Sequence, residues 1–196
     1  MRAACLSALL LGTAADPPGV QIIFEGVRMD RYPVRGRDVA AVRAALDAAR
    51  VRDEQDGTMV EAYTHGRIQG TWQAPARADH DAPCRPEAVI IRYSATMRLP
   101  YLAEPDPLPE LAQAWRLYAL NLERHEAQHL ERIRRALPRL AEAIAAAPCT
   151  GADAAGAVVL DEIRADGRAY DTETEHGRRE GAVFPPPRTT ERRQDD

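Results

Sequence analysis

Aromatic side chains are scarce in this chain of 196 residues, where phenylalanine, tryptophan and tyrosine together make up 5%. The net charge is −4 and no basic stripe with interleaved aromatics occurs, so nucleic acid is not an evident partner. No apolar run is long enough to span a bilayer, because a transmembrane helix needs about 20 such residues. The length itself predicts one domain with a substantial core, which we place at residues 16–184.

The N-terminus carries a short apolar run that has the pattern of an export signal. Residues 1–15 combine one positive charge at Arg2, an apolar stretch and small residues before a cleavage site near Ala15. We therefore expect a signal peptide at 1–15 and a periplasmic or secreted protein. The alternative is an ordinary apolar N-terminal segment. The polar, proline-containing stretch 185–196 is expected to be a disordered tail.

Cysteine is rare, with three in the chain. Cys5 would leave with the signal peptide, and Cys84 and Cys149 would remain as an even pair. An exported protein could join them in a disulfide, since disulfides persist in oxidising compartments. Two unrelated free thiols are the alternative.

The most specific pattern in the chain is a complete H-E-x-x-H at residues 125–129. His125 and His129 are four residues apart, so on a helix both imidazoles face the same side and can reach one zinc ion. Glu126 projects toward the same region, where it can take a proton from a water on the metal. By composition, the pattern arises by accident in roughly 1 per cent of such chains.

The residues around the motif favour a helix whose histidines point inward. Apolar and aromatic residues recur at steps of three or four on the motif's face, which are Trp115, Tyr118, Leu122, Ile133 and Leu137. Charged residues occupy the opposite face. The alternative is a pair of hydrogen-bonded core histidines without a metal, but burying Glu126 without a partner would then be costly.

The remaining elements predict an α+β fold of zincin-like type. We expect a small N-terminal mixed or antiparallel sheet with one helix, then the long motif helix and a C-terminal helix. The first strand is expected at 20–24, and residues 26–32 either continue it or form a turn. Residues 59–63 and 67–73 are expected as two strands or as one bent strand. The last strand is expected at 87–97. The first helix is expected at 39–50 with Asp38 as N-cap. The motif helix is expected at 107–137 with Asp106 as N-cap, and Pro138 divides it from a further helix to 147. The last helix is expected at 153–175 with Asp153 as N-cap.

A catalytic zinc needs three protein ligands and an open position, so a third ligand must come from outside the motif helix. The stretch from Tyr170 to Gly177 concentrates carboxylates, a tyrosine and a histidine. His176 leads as the third ligand because histidine is the commonest metal ligand. Glu173 is second, and Asp171 is third, either as ligand or as acceptor for a histidine N–H. His65 and His80 are interpreted as surface residues.

Several segments together resemble a bacterial family of predicted secreted zinc-dependent proteases, long catalogued as a domain of unknown function. They are residues 32–36, 62–64, 124–129, 170–171 and 176–177, with 181–182 shortly after. The resemblance covers most of the chain between about Val20 and Phe184. It implies an exported metallopeptidase and a Cys84–Cys149 disulfide. The chain departs from the family at residues 65–67, where a more aromatic strand is expected.

The working hypothesis is an exported zinc metallopeptidase acting on a peptide or protein substrate. His125, His129 and His176 would hold zinc, Glu126 would act as general base, and Tyr170 would donate to the oxyanion or serve as a core aromatic. The rival class is a non-catalytic periplasmic metal-binding or interaction module with the same fold. The oligomeric state, the substrate and the cleavage preference are not predicted.

Overall fold

The computed structural model describes residues 19–76 and 84–187. The strands are β1 (Val20–Val34), β2 (Val51–Arg52), β3 (Met59–Val60), β4 (Tyr63–Gln73) and β5 (Glu87–Leu102). The helices are α1 (Val39–Ala48), α2 (Pro109–Ala146) and α3 (Ala152–Thr174), with short 3₁₀ turns at Cys149–Gly151 and Arg178–Glu180. The expected signal peptide, most of the expected tail and His80 lie outside the described residues.

The main sheet has three strands in the order β1–β5–β4, with β5 in the middle. β5 pairs in parallel with β1 and antiparallel with β4, so the sheet is mixed. Residues 26–32 extend the first strand and do not turn, which was one of the two expected outcomes, and β1 ends at Val34. Pro33 is tolerated in it because β1 is an edge strand. The region 63–73 forms one strand, while 59–60 pairs separately with β2. The predicted α+β class is confirmed.

The core lies between the sheet and α2. Alternate residues of β5 turn toward the helix and are buried, namely Val89, Ile91, Tyr93, Ala95, Met97 and Leu99. Gly66 on β4 allows the helix to approach closely, because a Cβ there would lie 2.8 Å from Ile133 Cδ1 and 3.0 Å from Tyr93 Cε2. This close approach gives a physical reason for glycine where an aromatic strand was expected.

α2 differs from the prediction at both ends. It begins at Pro109 with Leu108 as N-cap, so Asp106 does not cap it. It also continues through Pro138 to Ala146, although proline in a helix removes a hydrogen bond and costs about 3 kcal/mol. Pro138 is exposed, so the freed carbonyl can meet water. The following turns bury Leu140, Ala141 and Ile144 in the core, which offsets that cost.

The C-terminal helix is fixed to the rest of the fold at its start. Cys84 and Cys149 form a disulfide 65 residues apart in sequence, which confirms the pairing. Asp153, predicted as the N-cap of α3, lies in its first turn and accepts a hydrogen bond from Trp72 Nε1 at 2.8 Å. The helix then packs along α2 and carries its far end to the motif histidines. Within the described ranges, no helix combines the length and apolar character needed to cross a membrane.

Candidate metal centre

The two motif histidines lie side by side on the face of α2 that packs against α3. Both are buried, with relative exposures of 3% for His125 and 7% for His129. Their ring centroids are 4.9 Å apart and the rings are nearly perpendicular, at 89°. The i, i+4 spacing therefore brings the two imidazoles together as predicted.

Asp171 of α3 completes a group of three ligand atoms. Its Oδ1 lies 3.2 Å from His125 Nε2 and 3.0 Å from His129 Nε2. The two Nε2 atoms are 3.3 Å apart. Ligand atoms about 2.0–2.1 Å from a tetrahedral zinc ion are separated by about 3.3 Å. The triangle formed by His125, His129 and Asp171 therefore fits the ligand face of a metal ion.

Proton placement on His125 gives an independent reason for a cation at this point. Its Nδ1 lies 2.9 Å from Glu180 Oε2, and an ionised carboxylate only accepts hydrogen bonds. A neutral His125 therefore carries its proton on Nδ1 and presents a bare lone pair at Nε2. That lone pair faces the carboxylate oxygen of Asp171. The two atoms repel unless a second proton or a metal ion lies between them, and one metal ion would satisfy all three groups at once.

The pKa values of Asp171 and His125 are shifted by their contacts with each other and with their neighbours. Burial by itself would raise the pKa of Asp171, but the imidazoles of His125 and His129 beside its carboxylate hold that pKa well below its usual range. Burial by itself would lower the pKa of His125, but its contacts with Asp171 and Glu180 outweigh this effect and raise that pKa. The cluster thus keeps Asp171 ionised and attracts positive charge.

Glu180 contacts Nδ1 of His125, and Tyr170 stacks on the His125 ring. The Tyr170 hydroxyl donates to Glu180 Oε2 at 2.9 Å, the same oxygen that accepts from His125 Nδ1. The Tyr170 ring stacks on His125 with centroids 4.9 Å apart, and the guanidinium carbon of Arg132 lies over the Tyr170 ring at 4.4 Å from its centroid. Sequence reasoning missed Glu180, because a glutamate after two arginines has the pattern of a surface turn.

The backbone after α3 reverses direction so that Glu180 can reach His125. Glu175, His176 and Gly177 all have positive φ values, of 53°, 52° and 79°. At Gly177 a Cβ would lie 2.8 Å from His125 Cγ and 3.0 Å from Ala182 Cβ. The turn therefore needs glycine at this position both for its conformation and for the space beside the histidine ring.

Glu126 is buried beside the metal-binding group, with a relative exposure of 3%. Its backbone carbonyl accepts a hydrogen bond from Thr64 Oγ1 at 3.1 Å, which joins α2 to β4. Within the described part of the chain, its carboxylate Oε2 has no hydrogen-bond partner. Burial raises the pKa of Glu126 to about 7. This carboxylate lines a cavity of about 240 Å³ together with His125, His129 and Asp171.

The other predicted ligands lie outside this triangle. His176 lines the same cavity, with Nδ1 3.6 Å from Asp171 Oδ1 and Nε2 3.4 Å from Asp56 Oδ2. Glu173 is exposed on α3. His65 stacks on Tyr63 and is half-buried, with its Nε2 3.8 Å from the carboxylate of Asp53. Tyr170 directs its hydroxyl to Glu180, so its predicted oxyanion role stays a prediction.

The fold and the site together define an α+β protein with a buried His–His–Asp group that could hold a metal ion. The chain belongs to the family described as "Bacterial protein of unknown function (DUF922)", whose profile matches residues 29–177. The match includes the motif helix and Asp171 and ends before Glu180. No curated protein matches the chain. No solved structure matches it.

Proposed function

We propose that this protein is an exported zinc metallopeptidase with a zincin-like domain. One observation carries the proposal: the His125–His129–Asp171 triangle lies in an accessible cavity beside the buried carboxylate of Glu126, whose Oε2 has no hydrogen-bond partner among the described residues. A purely structural site has no use for an unpaired carboxylate, because burying it costs free energy. A hydrolytic site needs that group as a base.

In this proposal His125, His129 and Asp171 hold the zinc ion, and Asp171 takes the place first expected for His176. Two histidines and a carboxylate supply three protein ligands and leave a position open, as in catalytic zinc sites. When bound, zinc would lower the pKa of a water molecule and polarise the substrate carbonyl. His176 lies beside Asp171 and would help to orient its carboxylate.

The proton transfers fall to Glu126. Its carboxylate accepts one proton from the attacking water as the new C–O bond forms. It then delivers that proton to the amine nitrogen as the peptide C–N bond breaks. Glu180 accepts the proton of His125 Nδ1 and so leaves Nε2 free for the metal, while Tyr170 stacks on the ring and donates to the same oxygen of Glu180.

The edge of the sheet offers a place for the substrate backbone. Among the described strands β4 pairs with β5 alone, and its residues Tyr63 and Thr64 line the cavity that holds Glu126. An extended peptide could pair with the open side of β4 and bring a backbone carbonyl over the metal-binding group. This arrangement suits a peptide or protein substrate.

Export is the second part of the proposal. The Cys84–Cys149 disulfide is typical of proteins from oxidising compartments. The signal-like segment 1–15 gives a route to the periplasm or the medium. Mature protein should therefore begin near Asp16, which intact-mass measurement of secreted material checks. A full-length product retained in the cytoplasm would contradict export.

The rival function is a closed, non-catalytic metal site. The position of His176 favours it, because Nδ1 lies 3.6 Å from Asp171 Oδ1 and could become a fourth protein ligand. The two functions differ in coordination: three protein ligands plus a water indicate an enzyme, and four protein ligands indicate a structural site. X-ray absorption spectroscopy of the zinc-loaded protein measures this number.

A set of variants tests the proposal. We expect about one zinc per chain, as for a single site. His125→Ala, His129→Ala and Asp171→Ala should each lose binding at micromolar zinc, while His176→Ala should bind more weakly than wild type and the exposed Glu173→Ala should bind normally. Glu126→Gln should keep zinc but lose hydrolysis of an unfolded protein by about 10²- to 10⁴-fold.

Two results would change the identity of the third zinc ligand or overturn the mechanism. If Asp171→Ala binds zinc like wild type while His176→Ala does not, the third ligand is His176. If Glu126→Gln digests the substrate as fast as wild type, the peptidase mechanism is wrong, whatever the metal content.

A further inference from the structure

A second cavity of about 440 Å³ adjoins the one that holds Glu126. The two cavities share the lining residues Gln55, Thr64 and His129. The second cavity therefore borders the metal-binding group at His129. The second cavity is called the β4–α3 trench here, since residues 64–68 of β4 and 160–168 of α3 form its walls.

The trench has the dimensions of a short stretch of extended chain. Four residue steps along β4 span about 13 Å, and eight along α3 span about 12 Å. This length holds three or four residues of an extended peptide, at roughly 3.3 Å each. Four aliphatic residues belong to its lining, namely Ile68, Ile133, Leu160 and Ile163.

The charges of the two cavities differ. The β4–α3 trench is lined by three arginines, Arg132, Arg164 and Arg168, and by one glutamate, Glu54. The cavity that holds Glu126 is lined by three arginines and five carboxylates. The chain as a whole is acidic, with a net charge of −4. The lining of the trench thus has more arginines than carboxylates, whereas the lining of the cavity that holds Glu126 has more carboxylates than arginines.

The arginines of the trench are not equally free to bind a ligand. Arg132 donates to both oxygens of Asp166, at 3.0 and 3.1 Å. Arg164 pairs with Asp161 at 2.7 Å. The guanidinium of Arg168 forms no ion pair or hydrogen bond with any residue in 19–76 or 84–187. Arg164 and Arg168 are one turn apart on α3, so both reach the same stretch of the trench.

We propose that the β4–α3 trench is a specificity subsite that selects peptides with an aspartate or glutamate within about four residues of the scissile bond. The acidic side chain pairs with Arg168, with Arg164 one turn away, and the aliphatic lining residues contact a neighbouring apolar side chain. This inference rests on the proposed peptidase function, but binding can be measured without hydrolysis.

The test uses zinc-loaded Glu126→Gln protein, which should hold a peptide without cleaving it. Fluorescence anisotropy compares three labelled peptides that are identical except for a glutamate, a glutamine or a lysine at one position, which is moved along the peptide in successive sets. At the best position we expect glutamate to bind about two- to fivefold more tightly than glutamine, as for a solvent-accessible ion pair, and lysine to bind most weakly. The preference should weaken as salt is added.

Charge reversal identifies the residue. Arg168→Glu in the same background should reverse the order, so that the lysine peptide binds most tightly, and Arg168→Gln should remove the preference. Arg116→Glu is the matched control, because Arg116 is an exposed arginine of α2 that lines neither cavity. It changes the net charge equally and should leave the order unchanged.

The outcomes separate this inference from the proposed function. Wild type that hydrolyses peptides with no acidic preference, or Arg168→Glu with the wild-type order, overturns the subsite and leaves the peptidase intact. Selective binding of acidic peptides without any hydrolysis by wild type supports the trench and counts against the peptidase. No peptide binding at millimolar concentration also overturns the subsite.

Discussion

Gly177 offers the sharpest test of how the turn after α3 supports the metal centre. Its φ of 79° lies in the left-handed region, where a side chain costs about 1–2 kcal/mol. The added Cβ of Gly177→Ala would also lie 2.8 Å from His125 Cγ, which is too close for any real contact. The ring of His125 must therefore shift, and its Nε2 must leave the position shared with His129 and Asp171.

Gly181 supplies a matched control for this substitution. Its φ of 83° imposes nearly the same backbone cost, and an added Cβ would meet Asn121 Nδ2 at 2.7 Å. That atom is the end of a movable side chain and not part of a metal ligand. Gly177→Ala and Gly181→Ala should thus lose similar backbone stability, while only Gly177→Ala displaces a ligand.

The expected results follow from this difference. In metal-free protein, each variant should lose about 1–2 kcal/mol of unfolding free energy, with an additional loss for Gly177→Ala from the displaced ring. Zinc affinity should fall about 10- to 100-fold in Gly177→Ala, as when a group that orients a ligand is lost, and change little in Gly181→Ala.

Urea unfolding of the metal-free proteins measures the unfolding free energy, and competition against a chelating dye measures the zinc affinity. Metal must be removed for the first measurement, because a bound ion stabilises the native state by mass action. If Gly177→Ala binds zinc as tightly as Gly181→Ala does, His125 is not held as a ligand in the way argued here.

Two further predictions concern the supports of the site and of the fold. Glu180→Gln should lower zinc affinity about 10- to 100-fold, because the Glu180 carboxylate fixes the tautomer of His125, while the unfolding free energy of the metal-free protein should change much less. Equal zinc affinity of variant and wild type in the dye competition would show that the contact of 2.9 Å between Glu180 Oε2 and His125 Nδ1 has no such role. The double variant Cys84→Ser/Cys149→Ser should lose on the order of 4 kcal/mol of unfolding free energy in urea, since the disulfide joins residues 65 apart and restricts the unfolded chain. Reductant should have no further effect on this variant. A loss near zero would show that the disulfide does not restrict the unfolded chain in this way.

Local sequence determined the elements whose stabilising contacts lie within a few residues. The Asp38 side chain accepts from Ala41 N at 2.8 Å and caps α1 as predicted, because capping depends on neighbours in the chain. His125 and His129 share a face for the same kind of reason, since a helix brings residues four apart together whatever surrounds it. The central strand β5 was predicted from its β-branched and aromatic residues.

Tertiary structure decided what depends on distant segments. Asp171 and His176 are both plausible ligands in sequence, but α3 carries Asp171 directly to the histidines of α2, whereas the turn at 175–177 leaves His176 beside it. Glu180 joins the centre only because that turn reverses the chain. α2 passes through Pro138 because the residues after it are buried against the sheet. In each case the deciding free energy comes from packing between segments far apart in the chain, which local spacing does not encode.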